Sequence, residues 1–162
     1  MSRNWTEQGR TLPTGVAEPA PPPTRGRHSG RLSLEWSGDT LELHCWIIRE
    51  STVVGHVCGR ESRIDRADAN IVLSADTSSE GVETISWTTT PDLSLEFAVR
   101  AVAPAWPSFA GARIDARIND HVLFFEPPAA EDGRWWRLFV VPSGRSPVRL
   151  VNEIGSQPPY TE

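Results

Sequence analysis

The residues with the most chemical options in this chain are His44, Cys45, His56 and Cys58, all within the stretch LELHCWIIRESTVVGHVCG. Thiolate sulfur is a soft ligand and imidazole a borderline one, and together they suit zinc. The four lie on two apolar segments that read as one β-hairpin, so register decides which side chains meet. If Glu50 and Ser51 form a two-residue turn, Cys45 faces His56, with Cys58 diagonal to it on the side of Leu43 and Ile47, and His44 points away. A slip of one residue instead sets Cys45 opposite Gly55 in the core. It then gathers His44, His56 and Cys58 beside Trp46, where Glu42 or a water would complete a tetrahedral site. The spacing H-C-x10-H-x-C matches no familiar zinc module, and buried cysteines commonly act as small hydrophobes. The expectation is therefore no metal and no cofactor, with His44, His56 and Cys58 as the residues that would hold a metal.

A second chemical option is an acid–base pair. Glu126 ends an apolar strand just before Pro127 and Pro128, and at a barrel mouth it would meet His121 from the same hairpin as an acid or base of raised pKa. The plainer expectation for Glu126 is a solvated strand end. Glu42, Glu83, Glu96 and Asp115 occupy alternating strand positions that should face water, while Asp92, Asp120 and Asp132 belong to turns.

Composition removes several function classes. All sixteen basic side chains are arginine, so a Schiff-base lysine, a pyridoxal-phosphate aldimine and a phosphate-loop lysine are excluded. The single tyrosine, Tyr160, falls in SQPPYTE, a segment read as a frayed tail over 156–162. There is no GxSxG, GxGxxG, HExxH or CxxC motif. The net charge of −5 comes with both signs scattered along the chain, unlike the gathered basic stripe of a nucleic-acid binder. No stretch approaches the roughly 18 uninterrupted apolar residues of a membrane span. The expectation is a cytoplasmic protein with neither nucleic acid nor membrane as partner.

Positioning these residues falls to strands. Residues 1–30, with EPAPPPTRGRHSG at their centre, have the composition of an extended or disordered arm. From Arg31 the pattern turns to period two, most plainly where Leu93, Leu95, Phe97, Val99 and Ala101 alternate with Ser94, Glu96, Ala98 and Arg100. Similar alternation runs through Leu32–Trp36 and Leu41–Ile47, with Ser37, Gly38 and Asp39 read as a hairpin turn that makes the first two strands antiparallel neighbours. Further strands are expected at 53–59, 70–76, 82–90, 112–119, 121–126, 134–141 and 147–154. The segment GRESRIDRADA is either one or two helical turns or a solvated connector. The sum is one all-β domain over 31–155, an antiparallel β-sandwich or small closed β-barrel of about 8–10 strands, rich in meanders.

Two strands look apolar on both sides. In RWWRLFVV, strict alternation sets Trp136, Leu138 and Val140 against Trp135, Phe139 and Val141. In HVLFFE it sets Val122 and Phe124 against Leu123 and Phe125. Such strands need a second cover: another protomer, the N-terminal arm, the 103–111 connection with Trp106 and Phe109, or a ligand. The leading expectation is a non-catalytic binding or protein-interaction domain, self-associating as a homodimer or docking a protein partner through Trp135, Phe139, Trp136, Phe125 and Trp106. The alternative is a small barrel whose apolar pocket binds a hydrophobic small molecule or guides its cyclisation.

Overall fold

The computed structural model describes residues 27–37, 40–75, 81–102, 108–129 and 132–160. The arm up to residue 26 and Trp106 lie outside them. Eleven strands are present among the described residues: β1 (His28–Trp36), β2 (Leu41–Arg49), β3 (Thr52–Val57), β4 (Arg63–Asp65), β5 (Ala69–Ala75), β6 (Gly81–Thr89), β7 (Ser94–Ala101), β8 (Arg113–Ile118), β9 (His121–Phe125), β10 (Trp135–Val141) and β11 (Arg149–Gly155). They form two antiparallel sheets, one of order β4-β5-β6-β1-β8-β9 and one of order β11-β10-β7-β2-β3. The fold is a β-sandwich, not a closed barrel. β1 begins at His28, three residues before the expected boundary at Arg31.

The period-two pattern places the core where it was expected. Leu32, Leu34 and Trp36 of β1 face Leu41, Leu43, Cys45 and Ile47 of β2 and Leu95, Phe97 and Val99 of β7 across the space between the sheets, all nearly or fully buried. Desolvation of this interior pushes the Cys45 thiol pKa far above its ordinary range, so this cysteine behaves as a hydrophobe.

Three sequence expectations change. First, β1 and β2 are not neighbours: β1 pairs with β6 and β8, and β2 with β3 and β7. Alternation dictates which face of a strand is buried but is silent on its neighbour. The four residues 37–40, at roughly 3.3 Å each, reach about 13 Å, enough to cross the roughly 10 Å between packed sheets.

Second, β10 is not apolar on two faces through simple alternation. Its pairing with both β7 and β11 shifts between Arg137 and Phe139, and this bulge turns Leu138 and Phe139 to the same side. Trp136, Leu138, Phe139 and Val141 all lie in the inter-sheet core. Trp136 and Phe139 are therefore packing residues, not members of an outward docking face. Phe125 packs at the core margin, with its ring 5.9 Å from that of Trp136 and 6.5 Å from that of Phe139.

Third, the segment read as helix or connector contributes β4, whose Arg63–Asp65 pairs with Asn70–Val72 of β5. Ile64, its lone apolar residue, packs against the core.

Candidate functional site

The hairpin of β2 and β3 starts as the sequence implies. Glu50 and Ser51 both have positive φ, 49° and 70°, as a two-residue turn with left-handed central residues requires. Arg49 then pairs with Thr52 and Ile48 with Val53, but the next pair is Ile47 with Gly55. Val54 is the extra residue of a β-bulge, and its carbonyl oxygen accepts a hydrogen bond from Arg66 Nη1 at 3.0 Å.

The bulge changes the parity of everything beyond it. Trp46 pairs with His56 and Cys45 with Val57. Continuing that register sets Cys58 beside His44. Neither register considered from sequence is the one adopted, since the pairing slips the other way. The outcome is nonetheless the second grouping: His44, Trp46, His56 and Cys58 on the outer face of the five-stranded sheet, with Cys45 inside.

On that face the side chains interlock. His44 Nε2 lies 2.7 Å from Glu42 Oε1, and His44 Nδ1 lies 2.8 Å from His56 Nε2. The Trp46 and His56 rings stack at 4.6 Å with 10° between their planes, and Trp135 meets His44 edge-on at 4.9 Å. Ala98 of β7 pairs with His44 on one side and Arg137 on the other. Its small side chain leaves room above the sheet for the Trp46 and Trp135 rings that pack with it. The hydrogen bond from His44 holds the Glu42 carboxyl below its usual pKa against the opposing effect of burial, with smaller contributions from the charges of Arg100 and Arg60.

The second cover of this sheet is a segment that composition marked as a frayed tail. Tyr160 packs with Trp46 and Trp135, and its ring lies 6.4 Å from that of Trp46. Its hydroxyl hydrogen-bonds to Glu96, which is itself bound by Arg137 Nη2 at 2.7 Å. Burial, then the Glu96 charge, raises the Tyr160 pKa. Phe109, named as part of another cover, instead packs in the core with its ring 5.9 Å from that of Trp136.

These residues enclose a recess of about 410 Å³, lined by Glu42, His44, Trp46, His56, Cys58, Arg60, Arg100, Trp135, Pro158 and Tyr160. Its volume falls within the range of small-molecule sites, roughly 300–1,000 Å³. Two larger hollows, of about 720 and 780 Å³, separate the other sequence candidates: Glu126 lines one and His121 the other. The two residues flank opposite ends of β9, about 17 Å apart at strand spacing, so they do not form an acid–base pair.

The buried acid lies elsewhere. Glu83, expected at the surface, is 7% exposed. Its Oε1 accepts a hydrogen bond from the Leu43 backbone N–H at 2.8 Å, joining one sheet to the other. Desolvation raises its pKa to about 7, opposed by the Leu43 hydrogen bond and reinforced by the charge of Glu42. Glu96 is also buried, at 5% exposure. Simple alternation missed both: Glu83 replaces an apolar residue on the inner face of β6, and Glu96 lies on an outer face that is covered.

Among the described residues, Trp135 is the one predicted binding residue that lines the recess, and the three predicted metal ligands converge there too. Arg60 joins them as the second residue after Cys58, and Tyr160 and Arg100 join with no sequence signal, because only the tertiary fold brings them to β2 and β3. No protein-family model, curated protein or solved structure matches the chain.

Proposed function

We propose that this chain is a non-catalytic binding domain whose site is the aromatic recess on the outer face of the five-stranded sheet. The observation that carries this reading is Trp135, half-buried beside the enclosed Trp46 and flanked by Tyr160, in a concavity sized for a compact ligand. Flat aromatic walls favour a planar or apolar group, and Arg60 and Arg100 at its margin favour an anionic substituent on that group. The occupant is a small molecule or a protruding group of a protein partner.

Titration with the anionic aromatic probe 1-anilinonaphthalene-8-sulfonate tests it. The expected result is saturable quenching of tryptophan fluorescence at about one probe per chain, lost in Trp135→Ala while the circular dichroism is unchanged. Quenching that never saturates, or that survives Trp135→Ala, would overturn the reading.

Self-association is a second reading, supported by a different surface. Val122 and Phe124 are 61% and 64% exposed on β9, an edge strand of the six-stranded sheet. Exposed apolar edges are natural templates for pairing with another chain.

A further inference from the structure

The floor of the recess holds the donor set of a transition-metal site. Among the described residues, His44, His56 and Cys58 bring two imidazoles and a thiol together with their ligand atoms all within 4.8 Å of one another. A tetrahedral zinc ion needs about 3.3 Å between two nitrogens and about 3.6 Å between nitrogen and sulfur. The His44–His56 contact must open slightly from 2.8 Å and the widest pair must close by about 1 Å. Both movements are asked of the side chains, with the strands left in place.

The hydrogen bonds already point the nitrogens correctly. A neutral His44 donates from Nε2 to the Glu42 carboxylate, which leaves the Nδ1 lone pair directed at His56 Nε2. A carboxylate on the far nitrogen of a ligating histidine is the usual second partner of such sites, where it fixes the tautomer and raises ligand basicity. Glu42 therefore orients His44 and is not itself the fourth donor. Gly59, next to Cys58, lies against this carboxylate: a β-carbon there would be 3.1 Å from Glu42 Oε2.

We propose that His44 Nδ1, His56 Nε2 and Cys58 Sγ bind one zinc ion, with a fourth coordination position open toward the recess. Zinc is the fit for mixed imidazole and thiolate donors. Binding releases the Cys58 thiol proton, and the proton on His56 Nε2 is displaced to Nδ1 or to solvent. Arg60 and Arg100 line the same recess, with Glu42 Oε1 3.9 Å from Arg100 Nη1, and the class of fourth ligand that follows is an anion, a carboxylate or a second thiolate. The site shares the recess with the reading above but stands on its own donors, so Trp135→Ala tests one and Cys58→Ser the other.

The test uses the full chain, purified by ion exchange, freed of metal and titrated with Co²⁺ and then Zn²⁺. Expected are about one equivalent of cobalt per chain, intense visible bands of tetrahedral geometry and a thiolate charge-transfer band, all displaced by zinc. Cys58→Ser removes the charge-transfer band, whereas Cys45→Ser, inside the core, keeps it. Glu42→Gln weakens zinc binding about tenfold to a hundredfold. Each variant is checked by circular dichroism, and if Cys58→Ser does not fold it is replaced by Cys58→Ala, which suits the buried position of this side chain. No charge-transfer band in wild-type chain, or equal zinc affinity in wild type and folded Cys58→Ser or Cys58→Ala, would overturn the proposal.

Discussion

Glu83 shows how much one buried side chain can set the behaviour of the rest. Its carboxyl is raised from an ordinary 4.5 to about 7 by burial, so between those values the folded chain holds a proton that the unfolded chain has released. Stability must therefore fall as pH rises through this window and level off above it, by up to ~3 kcal/mol over the whole span. Glu83→Gln keeps an acceptor for the Leu43 N–H and removes the ionisation. The expected outcome in urea denaturation at a series of pH values is that the variant lacks this slope and exceeds wild type above pH 7. Parallel curves would show that Glu83 does not titrate in the folded core. No reading of the sequence found this residue. Its neighbours Val82 and Thr84 give β6 an ordinary look, and the cost of burial appears only once a second sheet is laid across it.

At the scale of the element, the β2–β3 hairpin decides which chemistry the outer face carries. Its turn was legible, because two residues between apolar runs leave few alternatives. Its register was not, because a bulge inserts one residue without any composition of its own. Removing Val54 takes out the extra residue and leaves Gly55 opposite Ile47 and His56 opposite Trp46, so the outer-face grouping survives without the bulge. The deletion loses only the packing of Val54 on the core and the Arg66 hydrogen bond to its carbonyl, so a cost of about 2 kcal/mol is expected, with the zinc-binding donors still together. The double replacement Glu50→Asn with Ser51→Gly acts in the opposite sense. Both positions already have positive φ, which these residues accept at less cost, so a gain of about 1 kcal/mol is expected in the same denaturation measurement. A deletion that unfolds the chain or separates the donors would mean that the bulge itself holds β3 in its register.

Across the whole molecule, the two sheets divide the aromatic residues into those that hold the fold and those that face outward. Phe139 is fully buried between the sheets and Phe124 is mostly bare on an edge strand, although both read from sequence as members of two-sided apolar strands. Phe139→Glu should abolish the cooperative unfolding transition, since it buries an unpaired charge and removes a packed ring. Phe124→Glu should change stability by less than about 0.5 kcal/mol. If β9 joins two copies of the chain, light scattering will show a dimer in wild type and a monomer in Phe124→Glu. The fold class was readable because period two survives in nearly every strand. The partition between sheets was not, because alternation fixes a strand's inward side and leaves its neighbours open. The candidate site was half readable: its donors stand in one short stretch, while its walls come from β7, β10 and the segment after β11.

That last segment has a practical corollary. Pro158 and Tyr160 sit at the lip of the recess, so anything spliced on after Glu162 is leashed within a few residues of the imidazoles and the thiol. Intramolecular tethering of this kind gives an effective concentration on the order of millimolar. A string of histidines used as an affinity handle there would supply the missing coordination itself, or strip the metal away. The handle belongs at the amino end.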